Sequence, residues 1–250
     1  MRFLLYNIRY GAGVGPSFHL PVPCAGYLKK SADNFDKITE FIGSVSPDIV
    51  GLVEVDSGSF RTGKSCQAAL LARQLGYHYL VESKYKQGSV ATKVPVLREQ
   101  GNALLCRKPI TSHAFHFFDH GVKRLVLEAV TDGITVFLVH LSLTYRKRQQ
   151  QLEQLYQMVC KIETPLIVAG DFNVLWGDKE LNLFLAATGL VNANTHGKPS
   201  HPSRAPKRQL DYILHSRDLV MTDFSIPAVR FSDHAPLICD FARVGGDEGQ

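Results

Sequence analysis

The chain lacks a paired-cysteine pattern, a long apolar run and a strong excess of either charge. Its five cysteines, Cys24, Cys66, Cys106, Cys160 and Cys239, are odd in number and widely spaced, and none stands in a CxxC pair. A structural zinc site and a disulfide framework both need closer, paired spacings. Cys106 and Cys239 lie inside apolar runs, the setting of buried core thiols. The N-terminal stretch MRFLLYNIRYG holds only Phe3 to Tyr6 as an apolar run, too short for a secretory leader or a membrane span. The expectation is a reduced, cytoplasmic monomer without stable membrane insertion. The net charge of +5 suits an anionic substrate but falls short of a nucleic-acid-binding signature.

With 250 residues, 45% of them hydrophobic, the chain can bury a large core. No internal repeat and no linker interrupts it, so a single domain is expected over 1–242, followed by a flexible tail at 243–250. Strands are predicted at 2–8, 49–55, 77–82, 101–107, 124–131, 134–141, 165–169, 210–214, 220–225 and 235–241. Asp132-Gly133 marks a hairpin between two of them. Helical spacing of apolar residues predicts helices at 32–45, 66–75, 146–162 and 178–188. Residues 11–31, 84–98 and 194–208 read as loops. Many strands are apolar on both parities, which means both faces are buried. Two sheets packed face to face with helices on the outside satisfy that requirement.

The stretch Pro165 to Val174 is the most informative. An apolar run ends at Gly170, and Asp171 and Asn173 follow. In an extended chain those two side chains point the same way, a carboxylate beside an amide suited to holding a water near a phosphate; the same run also reads as a nucleotide-binding strand ending in a magnesium-binding acid, or as a strand that simply meets a turn. Gly170, without a Cβ, permits a close approach to its backbone. Polar residues recur at other strand ends: Asn7, Glu54, His140, Asp211, and Asp233-His234 just before the last strand. A lone buried polar residue is ordinarily a satisfied core group, but so many at strand ends point to one convergent site. The carboxylates and amides are hard oxygen ligands, suited to magnesium or manganese rather than zinc. The histidines add proton transfer or phosphate contact.

In order, N-I-R at 7–9, E at 54, H-L-S at 140–142, G-D-F-N at 170–173, L-D-Y-I at 210–213 and S-D-H-A-P-L at 232–237 resemble the endonuclease/exonuclease/phosphatase superfamily. The resemblance runs from residue 3 to about 241. It implies an α/β fold, a deoxyribonuclease I-like four-layered α/β/β/α sandwich of two mixed sheets. It also implies cleavage of a phosphoester by an activated water, dependent on Mg2+ or possibly Mn2+. Carried over by position, Glu54 is the principal metal ligand, with Asn7 and Asp233 near it. Asp171 handles the water with Asn173, His234 contacts the phosphoryl oxygens, Asp211 fixes the His234 tautomer, and His140 contacts the phosphate or assists the leaving group. Members that act at abasic sites carry an acid at the position of Arg9 and a tyrosine-containing segment in place of His140-Leu141-Ser142. Those departures favour the deoxyribonuclease, sphingomyelinase and phosphatase branches, and Arg9 argues against a second metal in that corner.

A rival motif is present. Gly58-Ser59-Phe60-Arg61-Thr62-Gly63-Lys64-Ser65 fits the phosphate-binding loop pattern GxxxxGK[ST] between a predicted strand and a predicted helix. It would make the chain a nucleotide-binding NTPase, but it leaves Asn7, His140, Asp211 and His234 without roles. On the hydrolase reading, Arg61, Lys64 and Arg208 are candidate substrate contacts, a solvated loop being the alternative for Arg61 and Lys64. Two basic clusters, Arg146-Lys147-Arg148 and Arg204, Lys207 and Arg208, either flank the site or are solvated, and the first is expected to be a solvated helix start. A non-enzymatic binding protein on the same fold would have lost some of the site residues, and this chain lacks only the acid at position 9. The substrate is read as a phosphoester: nucleic acid, a phosphorylated head group or a small phosphodiester.

Overall fold

The computed structural model describes residues 1–14, 32–85 and 97–244. Most of the loop expected at 11–31, the middle of the polar stretch 84–98 and the end of the tail lie outside the described residues.

Two six-stranded mixed sheets carry the fold. The first contains β1 (Arg2–Asn7), β2 (Ile49–Asp56), β3 (His78–Ser83), β4 (Gln100–Cys106), β11 (Leu219–Ser225) and β12 (Leu237–Arg243), in the order β11-β12-β1-β2-β4-β3. The second contains β5 (Ile110–Phe117), β6 (Leu125–Thr131), β7 (Ile134–His140), β8 (Leu166–Asp171), β9 (Val191–Asn192) and β10 (Asp211–His215), in the order β5-β6-β7-β8-β10-β9. The helices are α1 (Ala32–Val45), α2 (Gln67–Leu75), α3 (Tyr145–Val159) and α4 (Asn182–Thr188).

The apolar strands divide their side chains between two cores, as their double parity requires. In β7, Ile134, Val136 and Leu138 face the other sheet and pack with Phe3, Leu5 and Val53. Phe137 and Val139 face outward, against Leu152, Leu155 and Val159 of α3 and Phe184 of α4. On the opposite side of the molecule, Phe35, Ile38 and Ile42 of α1 and Ala68 and Leu71 of α2 cover the outward residues of β1, β2 and β4. The result is the four-layered α/β/β/α sandwich.

Each sheet has a parallel pair at its centre, β1 with β2 and β7 with β8, while the other pairings are antiparallel. A parallel pair needs a crossover, supplied here by α1 and α3. In each pair, both strands therefore end in the same direction. Asn7 lies opposite Val53, one residue before Glu54, and His140 lies opposite Asp171. Asp211 opens β10 opposite Asp171 on its other flank.

Three features differ from expectation, one being the two-residue β9, too short to carry a periodic pattern. β5 was not anticipated: its first half, Ile110-Thr111-Ser112-His113, is polar and exposed at a sheet edge, so it carries little apolar pattern. The last strand extends to Arg243, which therefore belongs to the sheet and not to a tail.

Gly170 is demanded by the sheet itself. It sits at φ +152°, and a Cβ there would lie 1.9 Å from the Val139 carbonyl oxygen of β7. What approaches this glycine is thus the neighbouring strand. Gly170→Ala should lower stability by about 3 kcal/mol, from strain and overpacking combined. Gly177→Ala, at φ +94° with open space around the added atom, should cost about 1 kcal/mol. Urea titration of both variants checks this, and equal losses would contradict it.

Candidate active site

Asp171 lies where the two sheets meet, and its carboxylate is buried. Oδ2 accepts from Asn7 Nδ2 of the other sheet at 3.1 Å and stands 3.2 Å from His140 Nε2 and 3.8 Å from His234 Nε2. Oδ1 accepts the Asn173 backbone N–H at 3.0 Å. That short loop is possible because Asn173 turns left-handed, at φ 52°, a conformation asparagine tolerates. Its side-chain amide then donates to the Leu141 carbonyl at 2.9 Å, tying the end of β8 to the end of β7. Burial alone would raise the Asp171 pKa, but His140 and His234 outweigh it and hold the carboxyl well below the usual range.

His234 Nδ1 lies 2.7 Å from Asp211 Oδ2, which also accepts from Ser200 Oγ at 2.6 Å. Burial opposes a charged imidazole, yet Asp211 and Asp171 overcome it and push the His234 pKa up to about 10. His234 is therefore an imidazolium, with Nδ1–H donated to Asp211 and Nε2–H turned toward Asp171. His140 behaves oppositely. Burial, reinforced by the Lys123 ammonium, lowers its pKa to about 4 against the pull of Asp171. Lys123 Nζ contacts His140 Nε2 directly.

A cavity of 220 Å³ opens beside these groups. It is lined by Asn7, Glu54, Asp171, Asn173, Asp233 and His234, together with Arg208. His140 and Asp211 stand behind them, touching Asp171 and His234. Glu54 sits at a bulge in β2, at φ 58°, with its N–H facing Asn102 Oδ1 at 3.3 Å. Its carboxylate has no hydrogen bond or ion pair among the described residues. Asp233 Oδ2 lies 3.3 Å from Arg9 Nη1, so the cation at position 9 fills the corner where the abasic-site enzymes have an acid.

Sequence reasoning did not identify Lys123, His201, Leu143 or Leu175, which also line the cavity. The first two lie outside the predicted strands, in a turn and a polar loop, where periodicity carries no signal. The His201 ring lies 4.7 Å from that of His234.

Three expectations about basic residues need correction. Arg61 is not available to a substrate. Its Nε and Nη2 donate to Asp56 Oδ2 at 3.0 and 2.7 Å, both side chains are buried, and the guanidinium covers the Tyr10 ring. Lys64 is exposed outside the cavity. Arg148 is fully buried rather than solvated, paired with Glu180.

The phosphate-loop reading fails on the same segment. Asp56 Oδ1 accepts the N–H groups of Gly58 and Ser59 at 3.0 and 2.7 Å. The N–H groups of Thr62, Gly63, Lys64 and Ser65 are bonded to carbonyls within the loop. A phosphate cradle needs those donors free and convergent, and here a carboxylate and the loop itself consume them.

Comparison with known proteins agrees with this geometry. The family model described as "Endonuclease/Exonuclease/phosphatase family" matches residues 4–234, and the chain belongs to that family. The catalytic domain of human Nocturnin, solved with a bound sulfate anion, is 25% identical with a TM-score of 0.68, covering 98% of this chain and 94% of that one. A mannosyl-6-phosphatase of Bacteroides thetaiotaomicron has the same fold, with a TM-score of 0.72 at 14% identity and coverage of 97% and 99%. A UPF0294 protein of Yersinia enterocolitica is 30% identical over 148 residues, 59% of this chain. That alignment spans 50% of the Yersinia protein's length.

Breaking the buried Arg61–Asp56 pair leaves an uncompensated charge. Arg61→Ala should therefore cost about 3–5 kcal/mol in urea unfolding. Lys64→Ala should change stability by less than about 0.5 kcal/mol. Neutral behaviour of Arg61→Ala would show that the pair does not organise this loop.

Proposed function

We propose that the chain is a divalent-metal-dependent hydrolase of phosphoesters. The observation that carries this reading is the cavity, where oxygen donors of one sheet face a carboxylate–imidazole cluster of the other. The residues fit a hard cation. The Glu54 carboxylate borders the cavity with no hydrogen bond or ion pair among the described residues, and Asn7 and Asp233 line the same cavity, an all-oxygen set suited to Mg2+ and also to Mn2+. Two other groupings, Asp171 with Asp211 and His234, and His201 with Asp233 and His234, also bring potential ligand atoms together. In both, His234 is hydrogen-bonded to Asp211 through Nδ1, and the Glu54, Asn7 and Asp233 set is the assignment proposed.

Magnesium bound there would neutralise charge on the phosphoryl group and polarise the ester. The protein's own residues do the rest. Asp171, kept ionised by its two histidines, accepts from the attacking water and orients it, with Asn173 beside it. His234 presents Nε2–H to a phosphoryl oxygen, while Asp211 holds its orientation. Lys123 and Arg208 add fixed positive charge at the cavity wall, where charge develops in the transition state. His140, neutral and behind Asp171, sets the position of that carboxylate.

The cavity is smaller than the roughly 300–1,000 Å³ usual for a whole small-molecule ligand. It suits a phosphoryl group, with the remainder of the substrate resting on the rim near Leu143 and Leu175. Nucleic acid, a phosphorylated head group and a small phosphodiester are the substrate classes proposed. The catalytic unit is proposed to extend through the last strand, to Arg243, and to act as a cytoplasmic monomer. The free thiols of Cys66, Cys106, Cys160 and Cys239 support a reducing compartment. No helix among the described residues is long and apolar enough to cross a membrane.

The test is turnover of DNA, RNA, bis(p-nitrophenyl) phosphate, inositol phosphates and sphingomyelin with magnesium and with chelator. Wild type should cleave at least one ester only when the metal is present. Asp171→Ala and His234→Ala should each lower kcat by about 10²–10⁴-fold. Failure of the wild type on every ester would overturn the reading.

A further inference from the structure

Helix α3 lies behind the site and carries two fully buried polar side chains on its inner face, Arg148 and Gln151. Gln151 uses its amide completely. Oε1 accepts the Ser142 N–H at 2.8 Å, and Nε2 donates to the carbonyls of His120 and Lys123 at 2.8 and 2.7 Å. One amide thereby joins the segment that follows His140 to the turn that carries Lys123.

The ends of that turn are held by the Phe118 N–H on the Arg124 carbonyl, by Arg124 Nε on the Phe118 carbonyl and by Gln154 on Asp119, but among the described residues Gln151 alone bonds the main chain of 120–123. Between Phe118 and Leu125, both buried, none of the six intervening residues is buried, Val122 is exposed and Gly121 adopts φ +98°. An apolar anchor is thus missing where the site needs Lys123 placed to within a fraction of an ångström. The neighbouring Arg148 extends the same grip. Nη1 donates to the carbonyls of Ser142 and Leu143 at 2.7 and 3.0 Å, while Nε donates to Glu180 Oε2 at 2.9 Å. Glu180 Oε1 in turn accepts the Trp176 N–H at 2.8 Å, beyond Asn173.

We propose that Gln151 is a positioning residue of the active site: by clamping the main chain of the 120–123 turn to the segment after β7, it sets Lys123 Nζ on His140 Nε2 at the cavity wall. Its kinetic consequence rests on the hydrolase reading, but its geometric consequence does not. A glutamine that merely satisfied buried polar groups would affect stability without acting through Lys123.

The experiment uses the full chain and two readouts, the imidazole ¹⁵N resonances of His140 and the turnover of whichever ester the wild type cleaves. Gln151→Met keeps the side-chain length and removes all three hydrogen bonds. Gly121→Ala reaches the same clamp from the other side, since the added Cβ would fall 2.7 Å from Gln151 Nε2 in a surface turn whose loss of fit need not unfold the protein. Both should move the His140 Nε2 resonance in the direction that Lys123→Met moves it. Both should lower kcat by about 10²-fold, the scale of an ångström-sized misplacement. In the Lys123→Met background, Gln151→Met should have no further effect on either readout, because the two residues act as a unit. An unchanged His140 resonance in folded Gln151→Met or Gly121→Ala, or effects that multiply in the double variant, would overturn the proposal. If Gln151→Met does not fold, Gly121→Ala decides it. If the wild type cleaves no ester, the hydrolase reading fails while the resonance comparison still decides whether Gln151 places Lys123.

Discussion

A carboxylate buried between two sheets must be compensated by groups that cannot move away. Asp171 meets that constraint with Asn7 from one sheet, His140 and His234 on either side, and the N–H of Asn173 beneath. These contacts come from four separate parts of the chain, so they are satisfied together only when both sheets are in register. The polar centre of the site is therefore also a check on assembly. It sits at the end of the apolar interface formed by Leu5, Val53, Leu138 and Ala169.

The topology explains why so many candidate site residues converge. Each sheet is built around one strand–helix–strand unit, β1-α1-β2 and β7-α3-β8. The carboxyl ends of four parallel-paired strands then supply Asn7, Glu54, His140 and Asp171. The two units differ in what their crossover helices contribute. α1 packs through Phe35, Ile38 and Ile42, whereas α3 adds a buried polar row that grips the loops around the cavity. The opposite charge states of the two histidines follow from their neighbours. Two carboxylates keep His234 protonated, while burial and Lys123 keep His140 neutral.

Much of this was legible in the residues themselves. Double-parity apolar runs such as Ile134–Val139 could only be strands buried on both faces, and their polar last residues marked the site. Strand limits agreed with the structure to within one or two residues for β1, β2, β8 and β10. What the residues hid is equally physical. An edge strand such as β5 needs no apolar face. Lys123 is one lysine among many until folding brings its turn to His140. Arg148 looked like part of a solvated basic run, because sequence does not reveal that Glu180 waits to pair with it. The segment from Gly58 to Ser65 carried the residue types of a phosphate loop, but the acid just before it, Asp56, takes up the donors such a loop would offer.

The claim on which the account turns is that the strand ends of both sheets form one cation-dependent site, with Glu54 as the principal ligand. Calorimetric titration of Mn2+ into the wild type, Glu54→Gln and His140→Ala tests it most directly. The account predicts a saturable site in the wild type, its loss in Glu54→Gln and its retention in His140→Ala. Undiminished binding by Glu54→Gln would contradict it.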